Sequence, residues 1–93
     1  MGLIRHDKIT DELGNTVEIK IWKVPISEEM PHGLKYSLVY IVKNQRVIGY
    51  DNYRHKGDHR HYLGAEQPYV FESLRKLAQD FNEDVNRYKE KNP

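Results

Sequence analysis

Two imidazoles separated by one arginine, His59-Arg60-His61, close a run in which chemistry is crowded: Gly49-Tyr50-Asp51-Asn52-Tyr53-Arg54-His55-Lys56-Gly57-Asp58-His59-Arg60-His61-Tyr62. Three of the five histidines fall within the seven residues from His55 to His61, interleaved with Lys56 and Arg60 and preceded by Arg54. Unpaired charges of this density are costly to bury, so the run is expected at a surface that meets an anion or a metal. On an extended segment His59 and His61 face one side and Arg60 the other. Two histidines on one face have the chemistry of an acid/base pair for RNA cleavage: one takes the 2′-hydroxyl proton and the other protonates the leaving oxygen. Arg54, Lys56 or Arg60 would then oppose the charge that builds on the phosphate.

The same residues admit other readings. His59 and His61 with His55 or Asp58 could offer three ligands to zinc, although interleaved arginines repel a cation. A solvated surface strand with ordinary histidines is the third reading. Asp51 is placed to orient a histidine, or to serve a turn or an ion pair with Arg46 or Arg54. Tyr50, Tyr53 and Tyr62 surround the cations, and aromatic rings beside cations stack unpaired bases; tyrosine is equally a sheet residue. Arg46, Asn52, Arg54, His55, Tyr53 and Tyr62 form the expected nucleic-acid surface around the run, with Lys35 a lesser candidate. His6 and His32 stand alone and receive no role.

Ninety-three residues make one domain spanning 1–93. The net charge of +1 gives little general attraction for nucleic acid, but its distribution is uneven. From Lys35 to His61 six Lys/Arg face two acids, whereas residues 1–30 hold four Lys/Arg and six acids. A local anion site is what this asymmetry supports. Cysteine is absent, which removes disulfides and thiolate metal sites and suits a reducing compartment. No signal-peptide core and no membrane-length apolar run is present. A cytoplasmic protein without a cofactor or a structural metal is expected.

The elements that must hold the run follow from periodicity. Leu3 to Ile9 reads as a short edge strand and Asp11 to Asn15 as a turn. Val17, Ile19 and Ile21 alternate with Trp22 and Val24 along a strand that Pro25 ends. Tyr36, Leu38, Tyr40 and Val42 share one face of a second strand, and Lys43-Asn44-Gln45 turns the chain back into Arg46–Asn52. Glu66-Gln67-Pro68 reads as a connector and Tyr69 to Phe71 as a short extended piece. Ser73 is the expected cap of a helix from about Leu74 to Lys89. Leu74, Leu77, Ala78, Phe81, Val85 and Tyr88 form its apolar stripe. The prediction is an α+β fold: an antiparallel sheet of about four to five strands with the C-terminal helix packed on one face, the other face free to carry the site.

The strand Val-Glu-Ile-Lys-Ile-Trp-Lys-Val-Pro (17–25) is followed by His-Gly-Leu-Lys-Tyr-Ser-Leu-Val-Tyr (32–40) and Arg-Val-Ile-Gly-Tyr-Asp-Asn (46–52). Lys-Gly-Asp-His-Arg-His (56–61), Pro-Tyr-Val-Phe-Glu-Ser (68–73) and the helical Asp80-Phe81 complete the pattern. In this order they resemble the TumE family of toxin–antitoxin systems, over about residues 16–88. Asp51, Asn52, Lys56, Gly57, His59, Arg60 and His61 are the matching positions; His55 stands where many members have glycine. The resemblance implies a growth-inhibiting toxin encoded beside a helix-turn-helix antitoxin and acting on RNA. Joined to the alternating histidine and cation pattern, it leads to the expectation of a metal-independent ribonuclease. In it His59 and His61 are acid and base, Lys56 and Arg60 face the phosphate, and Asp51 orients. A module that grips RNA or the ribosome without cutting, or a protein that acts only with its antitoxin, is the alternative.

Overall fold

The computed structural model describes residues 2–52 and 57–93. Among these, strands β1 (Gly2–Thr10), β2 (Thr16–Lys23), β3 (Leu34–Val42), β4 (Gln45–Asp51), β5 (His59–Tyr62) and β6 (Ala65–Pro68) precede one helix, α1 (Leu74–Lys91). The strands pair in chain order, each antiparallel to its neighbour, in one sheet. The fold is the expected α+β antiparallel sheet with a C-terminal helix; the sheet is a meander of six strands rather than four or five.

The extra strand is β6, within the stretch expected to be a connector. Leu63 (φ 50°) and Gly64 (φ 86°) both take left-handed backbone, the conformation of a two-residue hairpin turn whose twist matches its flanking strands. Lys43 (φ 51°) and Asn44 (φ 65°) make the equivalent turn between β3 and β4. All four residues of β6 are exposed. No buried face imposes alternation on them, and Pro68 is tolerated because an edge strand need not donate on its outer side. Period-two reasoning has nothing to detect in such a strand.

The core lies on one face. Ile19, Ile21, Tyr36, Leu38, Tyr40, Ile48 and Tyr50 from the sheet meet Leu77, Phe81 and Val85 from α1 in one cluster. Each such side chain contributes about 1.5–3 kcal/mol over its exposed state. Ser73 caps α1, its hydroxyl accepting from the Lys76 amide at 3.0 Å. Tyrosines let this core end in polar groups. The rings are buried, while the hydroxyls of Tyr36 and Tyr50 donate to Asp58 and Asp84, each at 2.6 Å, and that of Tyr40 donates to Asp11. Desolvation first, and then the adjacent carboxylate, raise the pKa of all three phenols, most strongly for Tyr36 and Tyr50.

Asn52, expected at the nucleic-acid surface, is fully buried. Its Oδ1 accepts from the Tyr36 amide at 2.9 Å and its Nδ2 donates to the Leu34 carbonyl at 2.6 Å. Beyond the last residue of β4, an amide side chain thus replaces a strand backbone and satisfies the start of β3. Asn52→Ala leaves a buried donor and an acceptor without their partner. It is expected to cost about 2–3 kcal/mol, read as a shifted urea midpoint with an unchanged slope.

Candidate functional site

α1 covers one face of the sheet. On the opposite, open face, β4, β5 and β6 bring charged groups together. Asp51 pairs with His59, Gly49 with His61, and His61 with Glu66. Direct partners in antiparallel strands share a face, so Asp51, His59, His61 and Glu66 all stand on the open side. His61 Nε2 lies 3.2 Å from Asp51 Oδ2, His59 Nδ1 lies 3.2 Å from Glu66 Oε1, and His61 Nδ1 lies 3.7 Å from Glu66 Oε2. The His59, His61 and Asp51 side chains are only 14–18% exposed.

Arg46 completes the group by way of a backbone irregularity. Strict alternation would put it on the face of Ile48 and Tyr50, against the core. The β3–β4 register slips between Tyr40↔Ile48 and Ile41↔Arg46, leaving Val47 as an extra residue. This bulge turns Arg46 onto the face of Ile41. Its stem then lies across Gly49, where a Cβ would come within 2.9 Å of Arg46 Cδ. Arg46 Nη2 donates to His61 Nδ1 at 3.2 Å, and Nη1 lies 3.8 Å from Asp51 Oδ2. Because arginine can only donate, His61 Nδ1 is the lone-pair nitrogen and Nε2–H points to Asp51. One imidazole therefore has a carboxylate behind it and a guanidinium in front, the constellation of a general base beside an anion site.

Arg60 is not brought to this group. As alternation requires, it points to the helix face. There Nε and Nη2 donate to Asp84 Oδ2 and Oδ1 at 2.7 and 2.9 Å, and Nε also reaches the Tyr50 hydroxyl at 3.0 Å. The hydrogen bond to Asp84 raises its already high pKa further. Tyr62 is on the same side, packed on the core with the Arg60 guanidinium 5.0 Å from its ring centre. A phosphate role for Arg60, or a stacking role for Tyr62, would require them on the open face; instead Arg60 ties β5 to α1 through Asp84 and Tyr62 packs on the core. Lys56, Arg54, His55 and Tyr53 lie outside the described residues, and with His55 goes the three-histidine zinc set. Among the described residues no group of three His, Asp or Glu is arranged to hold a metal ion, and no helix is long and apolar enough to cross a membrane.

Two features escaped sequence reasoning. Glu66 enters only through the Leu63-Gly64 hairpin; Gly64, four residues beyond Arg60, was the available signal. The second is His32, taken as isolated. Its Nε2 lies 3.1 Å from Asp58 Oδ2, the oxygen that also accepts from Tyr36, and its ring lies tilted by 33° against that of Phe71, 4.2 Å between centres. This cluster ties the β2–β3 loop to the start of β5 from the helix side. No local pattern links residues 26 positions apart.

Among proteins already known, no curated protein and no solved structure matches the chain. Residues 3–89 match the family described as Toxin TumE. That match takes in β2 to β6, all but the first residue of β1 and nearly all of α1, so the open-face group and its scaffold lie within it. The chain belongs to the TumE toxin family.

Proposed function

We propose that this toxin cleaves RNA without a metal ion, using the open-face histidines. His61 Nδ1 takes the proton of a 2′-hydroxyl while Asp51 holds Nε2–H. The 2′-oxygen attacks phosphorus, the bond to the 5′-oxygen breaks, and His59, steadied by Glu66, supplies the proton that the departing oxygen needs. The products are a 2′,3′-cyclic phosphate and a 5′-hydroxyl. Arg46 leaves Nδ1 for the phosphate as charge grows there. Lys56 stays in the proposal as a second phosphate contact on the strength of its place in the sequence, whereas Arg60 is given a bracing role. The action is taken to be cytoplasmic and restrained by a helix-turn-helix antitoxin, as the toxin family suggests.

The observation that carries this reading is the Asp51–His61–Arg46 line with His59 alongside. Purified chain incubated with RNA in EDTA should yield fragments ending in 2′,3′-cyclic phosphate. Cleavage that needs an added divalent ion, or RNA that is bound but stays intact, overturns it.

Gly49 offers a test that changes no charge. Its φ is not left-handed, so alanine is tolerated by the backbone, but the new methyl occupies the path of the Arg46 stem. Gly49→Ala should reduce cleavage at least about tenfold, towards the roughly 10²-fold loss expected for Arg46→Ala. The melting temperature should stay within about 3 °C. Full activity in Gly49→Ala would mean that the seat of Arg46 is irrelevant to the reaction.

A further inference from the structure

Trp22 stands on the open face without a structural partner of matching size. The alternation of β2 puts Ile19 and Ile21 into the core and Glu18, Lys20 and Trp22 on the other side. α1 covers only the first of these faces, and Trp22 is not among the residues that form the core cluster or pack against it. The indole is half-buried by its strand neighbours: Leu3 faces it across β1 and Lys35 across β3. The Lys35 ammonium rests 5.5 Å from the ring centre. A large aromatic ring left on a face of otherwise mostly polar and short side chains gains little for the fold. It is also the residue type best suited to stack on a flat ligand.

Its position relative to the histidines follows from register. Trp22 pairs with Lys35, Lys35 lies two residues from Ser37, and Ser37 pairs with Asp51. Trp22 is therefore two strands across and two residues along from Asp51, a separation of about 12 Å at ordinary strand spacing and rise. Lys20, paired with Ser37, and Lys35 lie along that path. Glu18, on the same face, lies 3.9 Å from the Lys20 ammonium, which leaves Lys35 the nearer cation to the ring. Ammonium groups beside an aromatic ring hold single strands irrespective of sequence: phosphates on the ammonium groups and a base on the ring.

We infer that Trp22 and Lys35 form a base-stacking subsite for single-stranded RNA on the open face, displaced by a few nucleotides from the bond that His61 attacks. This rests on the RNA reading of the open face and adds where the strand is held. A base that enters over the indole takes the place of the Lys35 ammonium, which moves to an adjacent phosphate. A duplex, with its bases already stacked and paired, has no ring to offer.

Trp22 is the sole tryptophan of the chain, so its fluorescence reports this subsite alone. The probe is a mixed-sequence 2′-O-methyl hexaribonucleotide, which lacks the attacking hydroxyl and stays intact, added to the wild-type chain. Single-stranded probe should quench the tryptophan in a saturable way, and the same sequence as a duplex should not. By anisotropy of a labelled probe, Trp22→Leu should weaken binding about fivefold or more and Trp22→Phe much less. Circular dichroism checks that each variant keeps its fold. Bound probe without quenching, or equal affinity of wild type and Trp22→Leu, overturns the subsite. The two readings fail separately: RNA cut by a chain whose tryptophan never responds removes the subsite alone. Quenching in a chain that cuts no RNA leaves the subsite standing and removes the catalytic reading.

Discussion

His61→Ala should lower RNA cleavage by about 10²–10⁴-fold, the range for removing a positioned acid/base group, with probe binding changed far less. The expectation comes from geometry on both sides of the ring. Asp51 Oδ2 at 3.2 Å from Nε2 and Arg46 Nη2 at 3.2 Å from Nδ1 leave the imidazole one orientation and one tautomer. Alanine removes the base and also the partner that keeps Asp51 and Arg46 apart; at 3.8 Å they are then free to close into a direct ion pair. His59→Ala should cost a similar factor through loss of the acid. The double variant should be little worse than the poorer single one, since the two act in one proton transfer sequence. Asp51→Asn separates orientation from charge: it keeps the size of the side chain but loses the carboxylate behind Nε2, and an intermediate loss is expected. Initial rates on a defined RNA with denaturing electrophoresis measure all four. If the double variant retains wild-type rates, imidazole chemistry is excluded.

Asp84→Ala should produce the largest loss of stability, about 3–5 kcal/mol, because it strands a cation beneath α1. The Asp84 side chain is 5% exposed and that of Arg60 20%. One carboxylate receives both Arg60 nitrogens and the Tyr50 hydroxyl. Arg87, 3.3 Å away and half exposed, cannot replace what is lost, having the same sign as Arg60. For a domain of this size the melting temperature should fall by roughly 15 °C or more. Arg60→Met combined with Asp84→Leu and Tyr50→Phe should recover most of that, since apolar side chains of similar volume need no counter-charge and no buried hydroxyl is left without its partners. A melting temperature for Asp84→Ala within a few degrees of wild type would show that the pair is not a structural tie. On the proposed reading the effect would reach cleavage as well, because Arg60 sits between His59 and His61 and its tie to Asp84 anchors the other face of β5 to α1.

The resemblance read from Asp-Asn and Lys-Gly-Asp-His-Arg-His was legible because a family string survives any fold-level ambiguity, and residues 3–89 carry it. Alternation told equally well which way the β5 side chains face. Period two is a property of the strand itself, so His59 and His61 on one side and Arg60 on the other needed no tertiary information. The Ser73 cap and the helical stripe were legible for the same reason: the signals lie within one turn or one helix face of each other.

What each group meets was decided only by the assembled sheet. An arginine between two histidines reads as part of their site until Asp84, 24 residues later, claims it from below. Asn52 reads as a polar surface residue until β3 presents it with two backbone groups to satisfy. Arg46 reads as part of the cationic surface, but only a one-residue slip in the β3–β4 register, which period two does not show, turns it over Gly49 beside His61. Sequence by itself determined the alternating faces of β5, the elements other than β6, and the kinship. Tertiary structure decided which cation stands beside the imidazoles, because partnership between residues distant in the chain depends on strand register and on what covers each face, and neither is written in local spacing.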